Sequence, residues 1–276
     1  MYAIRRLHSK CSNLFLKEQK KLSSLVFRLS SFYYICTMKH FALIGYPLGH
    51  SLSASYFTEK FAREGIDADY TLLSMESVEE VLPHCAELSG FNVTIPHKQA
   101  IIPLLADVSE EARAIGAVNC VKVTPEGLIG YNTDVIGIRK SLEGIALEGA
   151  KAIVLGTGGA SKAVQYALRE GGSKVVVVSR TKGAADLTYE DLSEELIAEC
   201  NIIVNTTPLG MYPNVESAPT LPYSAISSKH TLFDCVYNPQ QTKFLQLGSE
   251  RGARTIDGLT MFHAQAEAAW KIWSQD

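Results

Sequence analysis

Polar residues recur at short spacings through the first half of this chain: Ser51-x-Ser53, Asn92-x-Thr94 with Lys98 close behind, Asn119 in GAVNC, and Thr133-Asp134 in GYNTDVIG. Hydroxyls, amides, an ammonium and a carboxylate are the groups that grip a small hydroxyl-bearing molecule and move a proton to or from it. Singly, each has a plain structural use. The serines suit helix N-caps, Asn119 a strand-end turn, Asp134 a helix start, and Lys98 a solvated surface. Their common placement favours the chemical reading, because each falls at a strand end or helix start, where an open α/β sheet forms its crevice. In GFNVTIPHKQ, Asn92 and Thr94 share one face of a strand while Val93 and Ile95 take the other.

A second group of residues points to a nucleotide. AIVLGTGGASKAVQYAL is an apolar strand, a glycine turn and an amphipathic helix. Gly156-x-Gly158-Gly159-Ala160-Ser161 matches the first two glycines of the dinucleotide fingerprint, with Ser161 in place of the third. Glycines there allow a tight turn and let helix N-terminal amides approach a pyrophosphate. The next strand, KVVVVS, ends not in the Asp or Glu that binds an NAD ribose but in Ser179, Arg180, Thr181 and Lys182. A guanidinium pairs with a 2′-phosphate that a carboxylate would repel, so NADP(H) is the expected cofactor.

Elements able to position these groups alternate along the chain from Met38. Apolar runs at 41–46, 70–75, 91–95 and 116–124 read as strands, followed by 152–156, 174–179, 201–205 and 231–237. Helical stretches are expected from about 51, near 77–88 and 98–115, from about Asp134, from about 159, and through the tail DGLTMFHAQAEAAWKIW. Such alternation implies parallel sheets covered by helices. The expectation is an α/β protein with two lobes: an N-terminal α/β substrate domain over 38–135 plus 258–276, and a Rossmann-type dinucleotide domain over 136–257. The C-terminal helix would return to the first lobe.

Bulk properties exclude several function classes. A formal charge of −3 with no dense basic face argues against nucleic acid. Six scattered cysteines with no CxxC pair argue for reduced thiols in the cytoplasm, and the seven histidines have no HxxxH spacing, so no metal is indicated. No apolar run is long enough to span a membrane. Residues 1–37 carry seven Lys/Arg against one acid, Glu18. They suit either a transit leader or an upstream start before a fold beginning at Met38; the second reading is favoured, and the segment is excluded from the fold.

Taken together, GYPLGHSLSASYF, FNVTIPHK, IGAVNC, GYNTDVIG, VLGTGGASKA, SRT, NTTPLGM and DGLTMFHAQAEAAW, in that order, resemble the shikimate dehydrogenase family. The resemblance covers Met38 to the C-terminus. It implies NADPH-dependent reduction of 3-dehydroshikimate to shikimate, on the route to aromatic amino acids. Lys98 and Asp134 would form the catalytic pair. Ser51, Ser53 and Tyr237 would hold the substrate carboxylate; Asn92, Thr94, Asn119, Asp134 and Gln265 would surround the ring hydroxyls. Gly156, Gly158, Gly159, Ala160 and Ser161 would hold the pyrophosphate, with Ser179, Arg180, Thr181 and Lys182 at the adenosine end. Thr206 in NTTPLGM, Gly258 and Met261 would flank the nicotinamide. The expected assembly is a monomer or homodimer.

Three departures from the family pattern stand out: Ala54 where proline is common, His97 before Lys98 as a bystander on the outer face, and Lys182 in place of a second arginine. The last leaves dual cofactor use open. Competing readings are an NAD-linked quinate/shikimate dehydrogenase and, in another class, a non-catalytic metabolite-sensing module. An intact Lys98–Asp134 pair weighs against the module.

Overall fold

The computed structural model describes residues 38–49 and 51–275. The basic leader expected over residues 1–37 lies outside the described residues. Two six-stranded sheets organise the chain. The first is built from β1 (Lys39–Gly45), β2 (Ala68–Ser74), β3 (Leu88–Val93), β4 (Asp107–Val108), β5 (Cys120–Thr124) and β6 (Gly127–Tyr131), in the order β2-β1-β3-β5-β6-β4. Helices α1 (Leu52–Glu64) and α2 (Glu110–Ile115) belong to this half, and α3 (Asp134–Ser141) follows β6.

The second sheet comprises β7 (Lys151–Leu155), β8 (Lys174–Ser179), β9 (Leu187–Thr188), β10 (Ile202–Asn205), β11 (Thr231–Asp234) and β12 (Arg254–Ile256). Helix α4 (Gly159–Glu170) follows β7; α5 (Glu194–Glu199), α6 (Lys243–Ser249) and α7 (Leu259–Ser274) follow in turn. Its order is β9-β8-β7-β10-β11-β12, all parallel. That is the doubly wound arrangement, with the strand order reversing beside β7, so the glycine turn after β7 sits at the switch point where ligands bind. The first sheet reverses between β1 and β3, and the Ser51–Ser53 and Thr94–Lys98 segments follow the ends of those strands.

Several expectations need correction. The first sheet is mixed, because β5 runs antiparallel to both β3 and β6. The β5–β6 hairpin turns at Pro125-Glu126-Gly127, with Gly127 at φ +127°. The strand expected over 116–124 begins only at Cys120, since Gly116 caps α2 in the left-handed region at φ 71°. The helix expected near 77–88 is a 3-10 stretch, Val78–His84, holding Pro83, which has no backbone donor for the ladder. The one expected over 98–115 is broken by Pro103; the carbonyl of Lys98 instead accepts from Val118 N at 2.7 Å, and only Glu110–Ile115 is α-helical. Ile95 does not share the buried face of Val93: β3 ends at Val93, and Ile95 is 58% exposed.

Helix α7 returns to the first sheet. Trp273 stacks on Phe41 with centroids 4.8 Å apart, and its Nε1 donates to Val121 O at 2.9 Å. Gly90 lies so close beneath the indole that a Cβ there would stand 2.4 Å from Trp273 Cδ1. Phe57, Phe61 and Tyr70 complete this aromatic core. Helix α3 packs its Val135 and Ile138 into the core of the second sheet, beside Val154, Val164 and Phe233. Its Gly137 touches the backbone of α7, where a Cβ would meet Met261 O at 2.4 Å. Among the described residues, no helix is long and apolar enough to cross a membrane.

Candidate active site

Lys98 is presented by the tight turn that follows β3. His97 N donates to Thr94 O at 2.9 Å, and the His97 ring nitrogen Nε2 donates to Met75 O at 2.7 Å. His97 is therefore buried rather than on the outer face, and it anchors the turn. Its signal in the sequence, a histidine between proline and lysine, does not distinguish these two placements.

Lys98 Nζ donates to Asp134 Oδ2 at 2.5 Å, with the two side chains only 13% and 6% exposed. Asp134 is the first residue of α3, where unpaired helix amides favour a negative charge. Its other oxygen, Oδ1, accepts from Asn119 Nδ2 at 2.9 Å. Asn119 Oδ1 accepts from Thr133 N at 2.6 Å, so the amide is fixed on both sides. Gln265 on α7 lies at the edge of this network, its Oε1 3.5 Å from both Asn119 Nδ2 and Thr133 Oγ1. A carboxyl group held by an ammonium on one oxygen and an amide on the other is fixed in orientation.

Asn92 lies directly behind. Its Oδ1 accepts from Tyr70 OH at 2.8 Å, and its Nδ2 donates to Asn119 O at 3.1 Å. Both ends of that amide are thus engaged with protein groups. Burial pushes the Tyr70 phenol well above its ordinary pKa, while the Ser53 hydroxyl bonded to it acts in the opposite sense. Ser51 caps α1, its Oγ accepting from Ser53 N at 3.2 Å. Thr94 is half-buried at the end of the strand, and Tyr237 packs its ring 5.0 Å from Phe262 of α7. Burial also raises the Tyr237 pKa.

The second sheet faces this cluster. Burial pushes the Cys235 thiol far above its ordinary pKa; Asp234 and Asp134 add to that shift and Lys98 opposes it, so the turn after β11 lies within the field of the pair. Gly258 fits against that turn, where a Cβ would meet Cys235 O at 2.6 Å. Met261, three residues on, is buried, with its carbonyl and Cγ against Gly137 of α3.

In the glycine loop, Gly156 takes φ +111° and packs against Thr206, whose Oγ1 donates to Leu155 O at 2.6 Å. Thr206 thus braces the turn from below. Ser161 Oγ donates to Gly156 O at 2.6 Å, closing the loop where the fingerprint has its third glycine. Gly158 caps α4, and nothing lies within 4 Å of the place a Cβ would occupy. Ala160 is half-buried in the first turn of α4. Ser179 Oγ accepts from Thr181 N at 3.1 Å, curling the loop so that Arg180, Thr181 and Lys182 are exposed. The one carboxylate nearby in sequence, Asp186, accepts from Val177 N at 2.8 Å. An open glycine-rich helix start beside exposed cations fits a phosphorylated dinucleotide. A groove of about 790 Å³ runs elsewhere, along α4 from Thr157 to Arg169. Neither Lys98 nor Asp134 lines it, so the polar network defines the site.

Residues 43–121 match the family model described as the shikimate dehydrogenase substrate binding domain. The chain is 37% identical over 254 residues to a shikimate dehydrogenase (NADP(+)) of Carboxydothermus hydrogenoformans, covering 84% of this chain and 90% of that protein. A crystal structure of shikimate dehydrogenase from Aquifex aeolicus superposes with a TM-score of 0.76 at 36% identity, covering 86% of this chain and 92% of that one. So does one from Thermus thermophilus in complex with NADP(H) and shikimate, with a TM-score of 0.76 at 33% identity over 86% of this chain and 94% of that one.

Proposed function

The chain belongs to the shikimate dehydrogenase family, and we infer from this that it reduces 3-dehydroshikimate to shikimate with NADPH, reversibly. NADP(H), when bound, supplies the hydride. Lys98 then gives its proton to the C3 oxygen, on which negative charge develops as the carbonyl is reduced. In the reverse direction its neutral amine takes that proton back. Asp134 holds the ammonium by the 2.5 Å contact and offers its other oxygen edge to a ring hydroxyl. This contact is the observation that carries the reading.

The remaining assignments are proposals of the same kind. Ser51, Ser53 and Tyr237 grip the substrate carboxylate; Thr94, Asn119 and Gln265 bind ring hydroxyls. Asn92 joins them: its amide holds Tyr70 and Asn119 and keeps a second N–H to donate. Gly156, Gly158, Gly159, Ala160 and Ser161 cradle the pyrophosphate. Ser179, Arg180, Thr181 and Lys182 receive the adenosine 2′-phosphate, and Thr206, Gly258 and Met261 shape the nicotinamide end. The lobes are divided at 38–135 plus 258–276 and 136–257, supported by the two separate sheets and by the return of α7. The working enzyme is a cytoplasmic monomer or homodimer.

Absorbance of reduced nicotinamide tests this directly, with shikimate or quinate as substrate and NADP+ or NAD+ as acceptor. The expected result is the highest kcat/KM for shikimate with NADP+. A higher value for quinate with NAD+ would replace this reading by its closest competitor, and no turnover with any pair would leave a binding module.

A further inference from the structure

We propose that Gly159 is a positioning residue for Lys98: it is glycine so that the stem of the proton donor can lie across the first turn of the dinucleotide helix. This rests on the role of Lys98 given above. The dinucleotide fingerprint G-x-G-x-x-G leaves the fourth position free, and Gly159 occupies it. Nor does the backbone demand glycine there. Gly159 opens α4 in ordinary helical geometry, unlike Gly156 at φ +111°. Ala is the better helix former, so local propensity favours replacement.

Space is what excludes a side chain. A Cβ at Gly159 would stand 2.7 Å from Lys98 Cβ, 2.9 Å from its Cδ and 3.3 Å from its Cγ. Carbon atoms pack at about 3.5–4.0 Å, so the first two contacts are impossible without movement. Rotating the lysine moves Cδ but not the nearest atom, Cβ, which is fixed to the backbone. That backbone is itself tied, with Lys98 O accepting from Val118 N at 2.7 Å. The remaining response is for the turn carrying Lys98 and the start of α4 to separate, which draws Nζ away from Asp134 and widens the gap between the two sheets. The loop therefore contains three glycines with three causes: Gly156 for its backbone angle, Gly158 for open access on its outer side, and Gly159 for the lysine of the facing lobe.

The test is a double-mutant cycle of Gly159→Ala and Lys98→Ala, read by single-turnover rates with enzyme in excess, together with NADPH affinity from cofactor fluorescence and the melting temperature. Gly159→Ala alone is expected to lower kcat about tenfold or more, with NADPH affinity changed less than threefold and the fold retained. In the Lys98→Ala background the clash with the retained Cβ persists but no ammonium is left to displace, so the same change is expected to lower the rate by a clearly smaller factor. A general loosening of the loop would lower both backgrounds by the same factor, and that result overturns the proposal. So does a loss confined to NADPH affinity, or Gly159→Ala with unchanged kcat. If Lys98→Ala itself turns over normally, the assignment of the proton donor fails first, a distinguishable outcome.

Discussion

Lys98 Nζ and Asp134 Oδ2 lie 2.5 Å apart although 36 residues separate them in the chain. One group ends the turn after β3, and the other starts α3, which packs into the core of the second sheet. The pair therefore forms only when the two halves are assembled. Replacing Lys98 by alanine is expected to lower kcat by roughly 10²–10⁴, the usual yield of a positioned acid–base group. KM for shikimate should change little, since ring hydroxyls and carboxylate keep their other partners. Steady-state kinetics check this; a variant that retains most of its turnover refutes the assignment.

Arg180 is expected to select the cofactor. It is exposed and no carboxylate ends β8, so a 2′-phosphate meets an unopposed guanidinium. A charge-assisted hydrogen bond contributes about 1.5–3 kcal/mol, so Arg180→Ala should raise KM for NADP+ by roughly 10–100-fold and leave KM for NAD+ nearly unchanged. Parallel titrations with both cofactors measure the ratio. An equal rise for both would mean that Arg180 serves the loop rather than the phosphate.

Asp234 gives the protein a pH signature away from the chemistry. Burial raises its pKa from 3.8 to about 6, against the opposing bonds from Thr242, Val236 N and Asn205. A carboxyl raised on folding binds its proton more tightly in the native state. Its contribution to stability is therefore fully present below about pH 3.8 and is lost as pH rises through about 6. The shift corresponds to about 3 kcal/mol. Denaturant unfolding of wild type and Asp234→Asn across pH 4–7 should show the wild type losing ground to the variant as pH rises. A constant difference between them across that window would contradict the shift.

Gly90→Ala should unfold the protein more easily. Its new methyl would sit 2.4 Å from Trp273 Cδ1, forcing the indole off Phe41 and away from Val121 O. Overpacking of this kind costs about 1–3 kcal/mol, with the lost hydrogen bond adding about 1 kcal/mol. Urea denaturation followed by tryptophan fluorescence reports both effects.

How much of this was legible beforehand depends on whether the signal was local. The glycine turn, the strand before it and the helix after it are contiguous, so periodicity and glycine placement were enough. Ser51-x-Ser53 and the Asp134 helix start were legible for the same reason. Alternation alone suggests a parallel first sheet, whereas the Pro-Glu-Gly turn between CVKV and LIGY is the local signal of the antiparallel hairpin. His97 is expected on the outer face and is buried instead, since its partner is the carbonyl of Met75, a contact that no spacing encodes. The braces around Asn92 and Thr206 were equally hidden: their partners, Tyr70 and Leu155, lie on other strands. Short elements such as β9 and α5 carry too few residues for a periodic pattern to rise above chance.

The seat that Trp273 takes over Phe41 has a consequence for biosynthesis. Every strand of the second sheet precedes α7 in the chain, so a ribosome finishes that sheet before it makes the helix that seals the first. At roughly 5–20 residues per second, the nascent first lobe waits on the order of ten seconds with its aromatic floor uncovered. Ribosome-bound chains arrested before α7 should therefore bind hydrophobic dyes and chaperones through the lobe that was translated first, not through the newer one.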